Sequence, residues 1–212
     1  MLCPISNQSP KEERFNAITH ALGFVLSLIG LVALVAVGLP QGWGPFIVAT
    51  IYGLSLTQLF AISTFYHRHG TSPTKMRFRI CDHCAIYVLI AGSYTPFMAL
   101  SLGGWRGWGM LVLIWSLALA GIAYKCLHPN PFGVLSVLLY LGMGWCIVLV
   151  LPQLIAALST GAIVWLVAGG VSYTLGVPFY AWESLPYSHA VWHLFVLLGA
   201  ACHYAAVVFY VL

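Results

Sequence analysis

Between residues 17 and 211 the chain carries seven long apolar runs, and all but two of its twelve charged residues stand outside them. About 20 apolar residues, rising 1.5 Å each, cross the hydrocarbon of a bilayer. Backbone N–H and C=O groups find no water there, so each run must close its own hydrogen bonds as a helix. The sequence is 61% hydrophobic and 6% charged, whereas a soluble domain carries about a quarter charged residues. The pattern predicts an all-α membrane protein, a seven-transmembrane-helix bundle forming a single domain over residues 1–212. Its spans fall at about 17–39, 46–66, 80–100, 109–126, 132–152, 159–179 and 189–211.

Local signals punctuate these runs. Ser9-Pro10-Lys11-Glu12 has the form of a capping box with proline at the first helical position, which predicts a short interfacial helix before span one. The polar stretch from Arg68 to Arg79 is expected to be a loop. Pro96 can kink span three, His128-Pro129-Asn130-Pro131 ends span four, and Pro152 closes span five. Trp and Tyr residues near the span ends suit the headgroup region. The first apolar run is long enough to span and carries His20 near its start, so it is expected to be retained rather than cleaved as a signal peptide.

The eight Lys and Arg residues set the orientation. With the N-terminus in the cytoplasm, Lys11, Arg14, Arg68, Lys75, Arg77, Arg79 and Lys125 lie inside and only Arg106 outside. By the positive-inside rule the N-terminus is cytoplasmic and the C-terminus outside. The formal charge of +4 is too thinly spread for a nucleic-acid surface, and membrane lipids are the expected partners. The six cysteines lack the spacing of a secreted disulfide scaffold. The Cys81-x-x-Cys84 pair lacks the second pair that a structural zinc site of that kind needs.

On that map the unusual polar residues converge. His67 lies at the inner end of span two with Ser63 one turn deeper, Asp82 begins span three, and His189 and His193 begin span seven. Residues four apart share a helix face with Cβ atoms about 6 Å apart, so His189 and His193 can address one ion. Ionisable groups inside the hydrocarbon are costly and face a partner or a cavity. Asp82 is expected to be the only acidic residue in or beside a span, and unpaired it would destabilise its helix by several kcal/mol. Three histidines plus water make an open zinc site, and zinc lowers the pKa of bound water to about 7. In this reading His67, His189 and His193 bind Zn2+, Asp82 is the general base, and Ser63 donates to a developing oxyanion. The reaction would be hydrolysis of an amide or ester bond in a lipid.

The remaining histidines are placed outside that set. His20, near Asn16 and Thr19, either orients a ligand or packs its own helix, with packing favoured. His203 stands about 15 Å farther along the helix than His193 and is expected to bond a neighbouring helix. His83 points about 100° away from Asp82, and His69 belongs to the polar loop.

Together the motifs Glu13-x-x-Asn16-x-x-Thr19-His20-x-x-Gly23, Ser63-x-x-x-His67, Asp82 followed by Ala91-Gly92-Ser93-Tyr94-Thr95-Pro96-Phe97, and Ser188-His189-x-x-x-His193 with His203 resemble the progestin and adipoQ receptor family, in its bacterial hemolysin III branch. The resemblance covers essentially the whole chain. It implies a seven-helix bundle with a cytoplasmic N-terminus, zinc on His67, His189 and His193, Asp82 on the metal water and Ser63 nearby. The wider superfamily includes alkaline ceramidases, which implies lipid-amide hydrolysis, and bacterial members look like regulators of membrane lipid homeostasis in the plasma membrane. Two other readings stay open: a non-enzymatic sensor or regulator with a structural zinc, and a pore-forming hemolysin. The long N-terminal domain of the animal receptors has no counterpart here, which argues against a hormone-receptor role.

Overall fold

A computed structural model describes residues 8–70, 73–128, 132–182 and 184–212. Among these residues there is no strand. The helices are α1 (Pro10–Gly38), α2 (Trp43–Arg68), α3 (Pro73–Pro96), α4 (Gly104–Leu127), α5 (Val134–Trp145), α6 (Leu151–Ala157), α7 (Thr160–Ala181) and α8 (Ser188–Tyr210). A 3-10 turn at Cys146–Val150 joins α5 to α6, so the eight helices supply seven stretches long and apolar enough to cross a membrane.

The capping box forms as its residues dictate. Ser9 accepts from Glu12 N, and the Glu12 carboxylate accepts from Ser9 N at 2.8 Å. No breaker follows before Gly38, so the expected interfacial helix and span one are a single helix. The third helix also starts earlier than predicted, at Pro73 rather than near residue 80. Proline suits a first helical turn because its missing N–H would be unbonded there anyway. Much of the expected loop is therefore helix, and Asp82 lies about 13 Å from the helix start instead of beginning it.

Beyond Pro96, α3 passes into a π-helical turn, Phe97–Leu102, as a helix does where one carbonyl loses its donor. Pro152 does not close span five. It sits in the first turn of α6, and the break comes earlier, at Cys146–Val150. Tyr94 makes that break tolerable inside the bundle. Its hydroxyl accepts from Ile147 N at 2.8 Å and shares its proton between the carbonyls of Met143 and Gly144. Backbone groups freed in a membrane helix need such partners. The proposed stop at Pro129-Asn130-Pro131 lies outside the described residues.

The starts of α1, α3 and α8 and the end of α2 meet at one end of the bundle, called here the histidine end. Glu12 Oε1 accepts from Tyr187 N at 2.9 Å, and the ring of Phe15 packs edge-on against Tyr187. Tyr187 has φ +58°, a left-handed conformation rare for a side chain of its size. This turn lets α8 begin at Ser188. At the opposite end Gln41 donates to the carbonyl of Leu212. Close helix approach depends on small residues: a Cβ on Gly92 of α3 would lie 2.2 Å from Ser55 Oγ of α2, and one on Gly23 of α1 would lie 2.6 Å from the Phe60 ring. Trp43, Trp105, Trp108 and Trp182 are exposed at or near helix ends.

Candidate metal centre

The last turn of α2 supplies His67, and the first two turns of α8 supply His189 and His193. One ring nitrogen from each lies within 4.8 Å of the other two, a spacing that could hold a metal ion. Ring centroids stand 5.1 Å apart for His67 and His189, 5.0 Å for His67 and His193, and 4.6 Å for His189 and His193. His67 and His193 are 4% and 2% exposed. Among the described residues this is the one cluster of three or more histidine, cysteine or acidic side chains so disposed. Cys81 and Cys84 join no such cluster.

Helix α1 contributes no nitrogen to the cluster yet addresses two of its rings. Glu13 Oε2 lies 2.6 Å from His67 Nδ1, and Glu13 Oε1 accepts from Lys75 Nζ at 2.5 Å. His193 Nδ1 lies 3.1 Å from Thr19 Oγ1 and 3.3 Å from the Asn16 carbonyl. With its Nδ1 engaged, His67 has Nε2 left for a metal, and that atom is buried without a hydrogen-bond partner. His20 stacks on His193 with 3.4 Å between ring centroids and meets Phe60 edge-on. Both nitrogens of His20, together with Asn16 Oδ1 and Ser63 Oγ, are likewise buried without partners. Buried polar atoms are normally bonded, so a concentration of unbonded ones marks a place for a ligand or ordered water. Three imidazoles with few thiolates or carboxylates form a donor set that suits zinc.

Asp82 is not among the three clustered groups. Its carboxylate acts electrostatically on His67 and lies beside Ser63, whose hydroxyl does not meet hydrogen-bond geometry. Both stand next to the cluster rather than in it. His203 Nε2 is bonded to the Leu166 carbonyl of α7 at 3.2 Å, as expected. His83 faces Lys125 instead, whose Nζ reaches its Nδ1 at 3.3 Å and donates to Ser136 Oγ at 2.7 Å. Half-buried His69, at the C-terminal cap of α2, bonds the Phe65 carbonyl of that helix.

Two participants were missed or misplaced in the sequence. His20 was expected to pack its own helix, but it lies against His193. Asp82 was expected to be the only acid at a span, but Glu13 sits inside α1 and touches His67. A signal existed. Once α1 is extended back to its capping box, Glu13, Asn16 and His20 follow at helical spacing on one face, ahead of Gly23.

An apolar cavity of about 250 Å³ lies between α3, α5 and α7. Four of its lining residues, Leu59, Ile86, Trp192 and Val196, stand one helical turn deeper than Ser63, Asp82, His189 and His193 respectively. The cavity thus continues the histidine end into the bundle. The three histidines are not among its lining residues. Tyr180 lies between, lining the cavity with its ring centroid 5.9 Å from that of His189.

Known proteins resemble this chain in sequence along most of its length. The Haemolysin-III related family matches residues 8–204. Hemolysin-3 of Bacillus cereus is 43% identical over 206 residues, which cover 97% of this chain and 94% of that protein. The Hemolysin-3 homolog of Bacillus subtilis (strain 168) is 44% identical over 201 residues, 94% of each chain. The human Monocyte to macrophage differentiation factor is 34% identical over 202 residues, covering 92% of this chain and 83% of its own. With seven spanning helices and a match along nearly its whole length, this multi-pass membrane protein belongs to the Haemolysin-III related family.

Proposed function

We propose that this protein is a zinc-dependent hydrolase of lipid amide or ester bonds, acting in membrane lipid homeostasis. The observation that carries the reading is the three-histidine cluster, with His67 and His193 buried and His189 half-buried, and an apolar cavity one turn beneath it. His67, His189 and His193 would hold the metal, which when bound supplies a Lewis acid able to make water nucleophilic near neutral pH. Asp82 takes the proton of the attacking water and can return it to the leaving amine or alcohol. Ser63, beside Asp82, donates to the oxygen that gains charge. The cavity receives an acyl chain and keeps water from it, which aligns the scissile carbonyl with Ser63 and Asp82.

Orientation follows the same logic. Lys75, Arg79 and Lys125 lie in the described helices at or near the histidine end, while Arg106 begins α4 at the other. That distribution supports a cytoplasmic N-terminus, an outside C-terminus and a zinc site facing the cytoplasm in the plasma membrane, within one domain. A second reading, a structural metal in a non-enzymatic regulator, draws on the separation of the three histidines from the cavity by Tyr180. The pore-forming reading lacks a polar path here, because the cavity lining is dominated by Leu, Ile and Val.

Purified, zinc-loaded protein assayed on ceramides and phospholipids tests the reading. Released fatty acid that disappears in Asp82→Asn, with zinc retained, supports the hydrolase. Bound zinc without turnover across the panel favours the regulator.

A further inference from the structure

Beyond the ligands themselves, we propose that Glu13 is a positioning residue that holds His67 with its Nδ1–H toward α1, so that Nε2 is the nitrogen presented to the metal. The inference rests on the metal reading above. Glu13 Oε2 is 2.6 Å from His67 Nδ1, and the two side chains are 13% and 1% exposed. Its other oxygen is bound by Lys75 of α3 at 2.5 Å, so the two oxygens serve different partners. A carboxylate that accepts from one ring nitrogen sets the tautomer, locks the ring and raises the basicity of the other nitrogen. His67 Nε2 is the buried atom without a partner, on the side of the ring opposite Glu13.

A second ring repeats the arrangement. His193 also turns Nδ1 toward α1, where Thr19 Oγ1 and the Asn16 carbonyl meet it. Glu13, Asn16 and Thr19 follow one another at three-residue spacing. A helix without a ligand thus directs two of the three candidate ligands. Glu12, the neighbouring acid, has a different task, since it bonds Ser9 and Tyr187.

The competing account makes Glu13 only a staple between α1 and α3 through Lys75. The two accounts separate in purified full-length protein. In metal-free protein labelled with 15N-histidine, the wild type is expected to carry the His67 proton on Nδ1, with Glu13→Leu showing a mixture or the Nε2 form. Zinc affinity, measured by competition with a chelator, should weaken about 10- to 100-fold in Glu13→Leu. It should recover in part in Glu13→Gln, which keeps an acceptor, and hold within about threefold in Lys75→Met, which leaves the Glu13–His67 contact in place. Cobalt bound in place of zinc should show shifted visible bands in Glu13→Leu and not in Lys75→Met. An Nε2 proton on His67 in the wild type overturns the proposal, as does equal weakening by Lys75→Met and Glu13→Leu. Unchanged zinc affinity in Glu13→Leu removes the role given to Glu13 alone, whereas a wild type that takes up no zinc removes the metal reading itself. Should Glu13→Leu fail to fold, the wild-type tautomer and Glu13→Gln still decide.

Discussion

Two polar clusters adjoin α3, one beside Asp82 and the other around His83, and they differ in how their atoms are satisfied. Around Lys125, which is 1% exposed, the amine meets Ser136 and His83, and Tyr140 donates to the His83 carbonyl at 3.1 Å. Phe132 lies under both Lys125 and Arg79, with its ring centroid 5.0 and 4.1 Å from the two cations. Around His67, by contrast, Ser63 Oγ, Asn16 Oδ1, His67 Nε2 and both nitrogens of His20 lack partners. An unbonded buried polar atom costs about 1–3 kcal/mol. The Lys125 amine finds its partners within the chain, whereas the histidine cluster has the composition of a site completed by something it binds. The difference teaches that a buried ionisable residue is not by itself a functional sign; unsatisfied neighbours are the stronger one.

Variants can break or sharpen that contrast. The largest effect is expected from His193→Ala, which should lower bound metal from about one per chain to near zero, read by elemental analysis of purified protein. Asp82→Asn should keep the metal and cut hydrolysis by about 10²- to 10⁴-fold, the usual yield of a general base; turnover at the wild-type rate would remove Asp82 from the chemistry. Lys125→Met should leave metal content untouched and cost about 1–3 kcal/mol in unfolding experiments, because Ser136 and His83 lose a partner. Metal loss in Lys125→Met would show that the two clusters are one. The smallest change is Ser9→Ala, expected to cost about 1 kcal/mol of stability through the lost cap while zinc stays bound.

Much of this was legible in the residues, and the misses are specific. Seven spans follow from hydropathy because every backbone polar group in lipid must be bonded within its own helix. His189 and His193 could be paired on paper because four residues of helix is a local geometry. The start of α3 was placed too late because Lys75, Arg77 and Arg79 look like loop residues until Lys75 is seen buried against Glu13. Pro152 looked like a stop, but a proline in a first helical turn stops nothing, and the real break depends on Tyr94, some fifty residues away in sequence.

By itself the sequence determined the number of spanning helices, the cap that begins α1, and the candidate ligands at one end of the bundle. Tertiary structure alone decided which helix lies against which. It set α1 beside α8 so that Asn16 and Thr19 reach His193 and Glu13 reaches His67, and it turned His83 away to Lys125. The reason is physical. In a bilayer, lipid and helix are equally apolar, so hydropathy carries no preference for a neighbour. Small residues, close packing and buried hydrogen bonds choose it, between residues far apart in the chain.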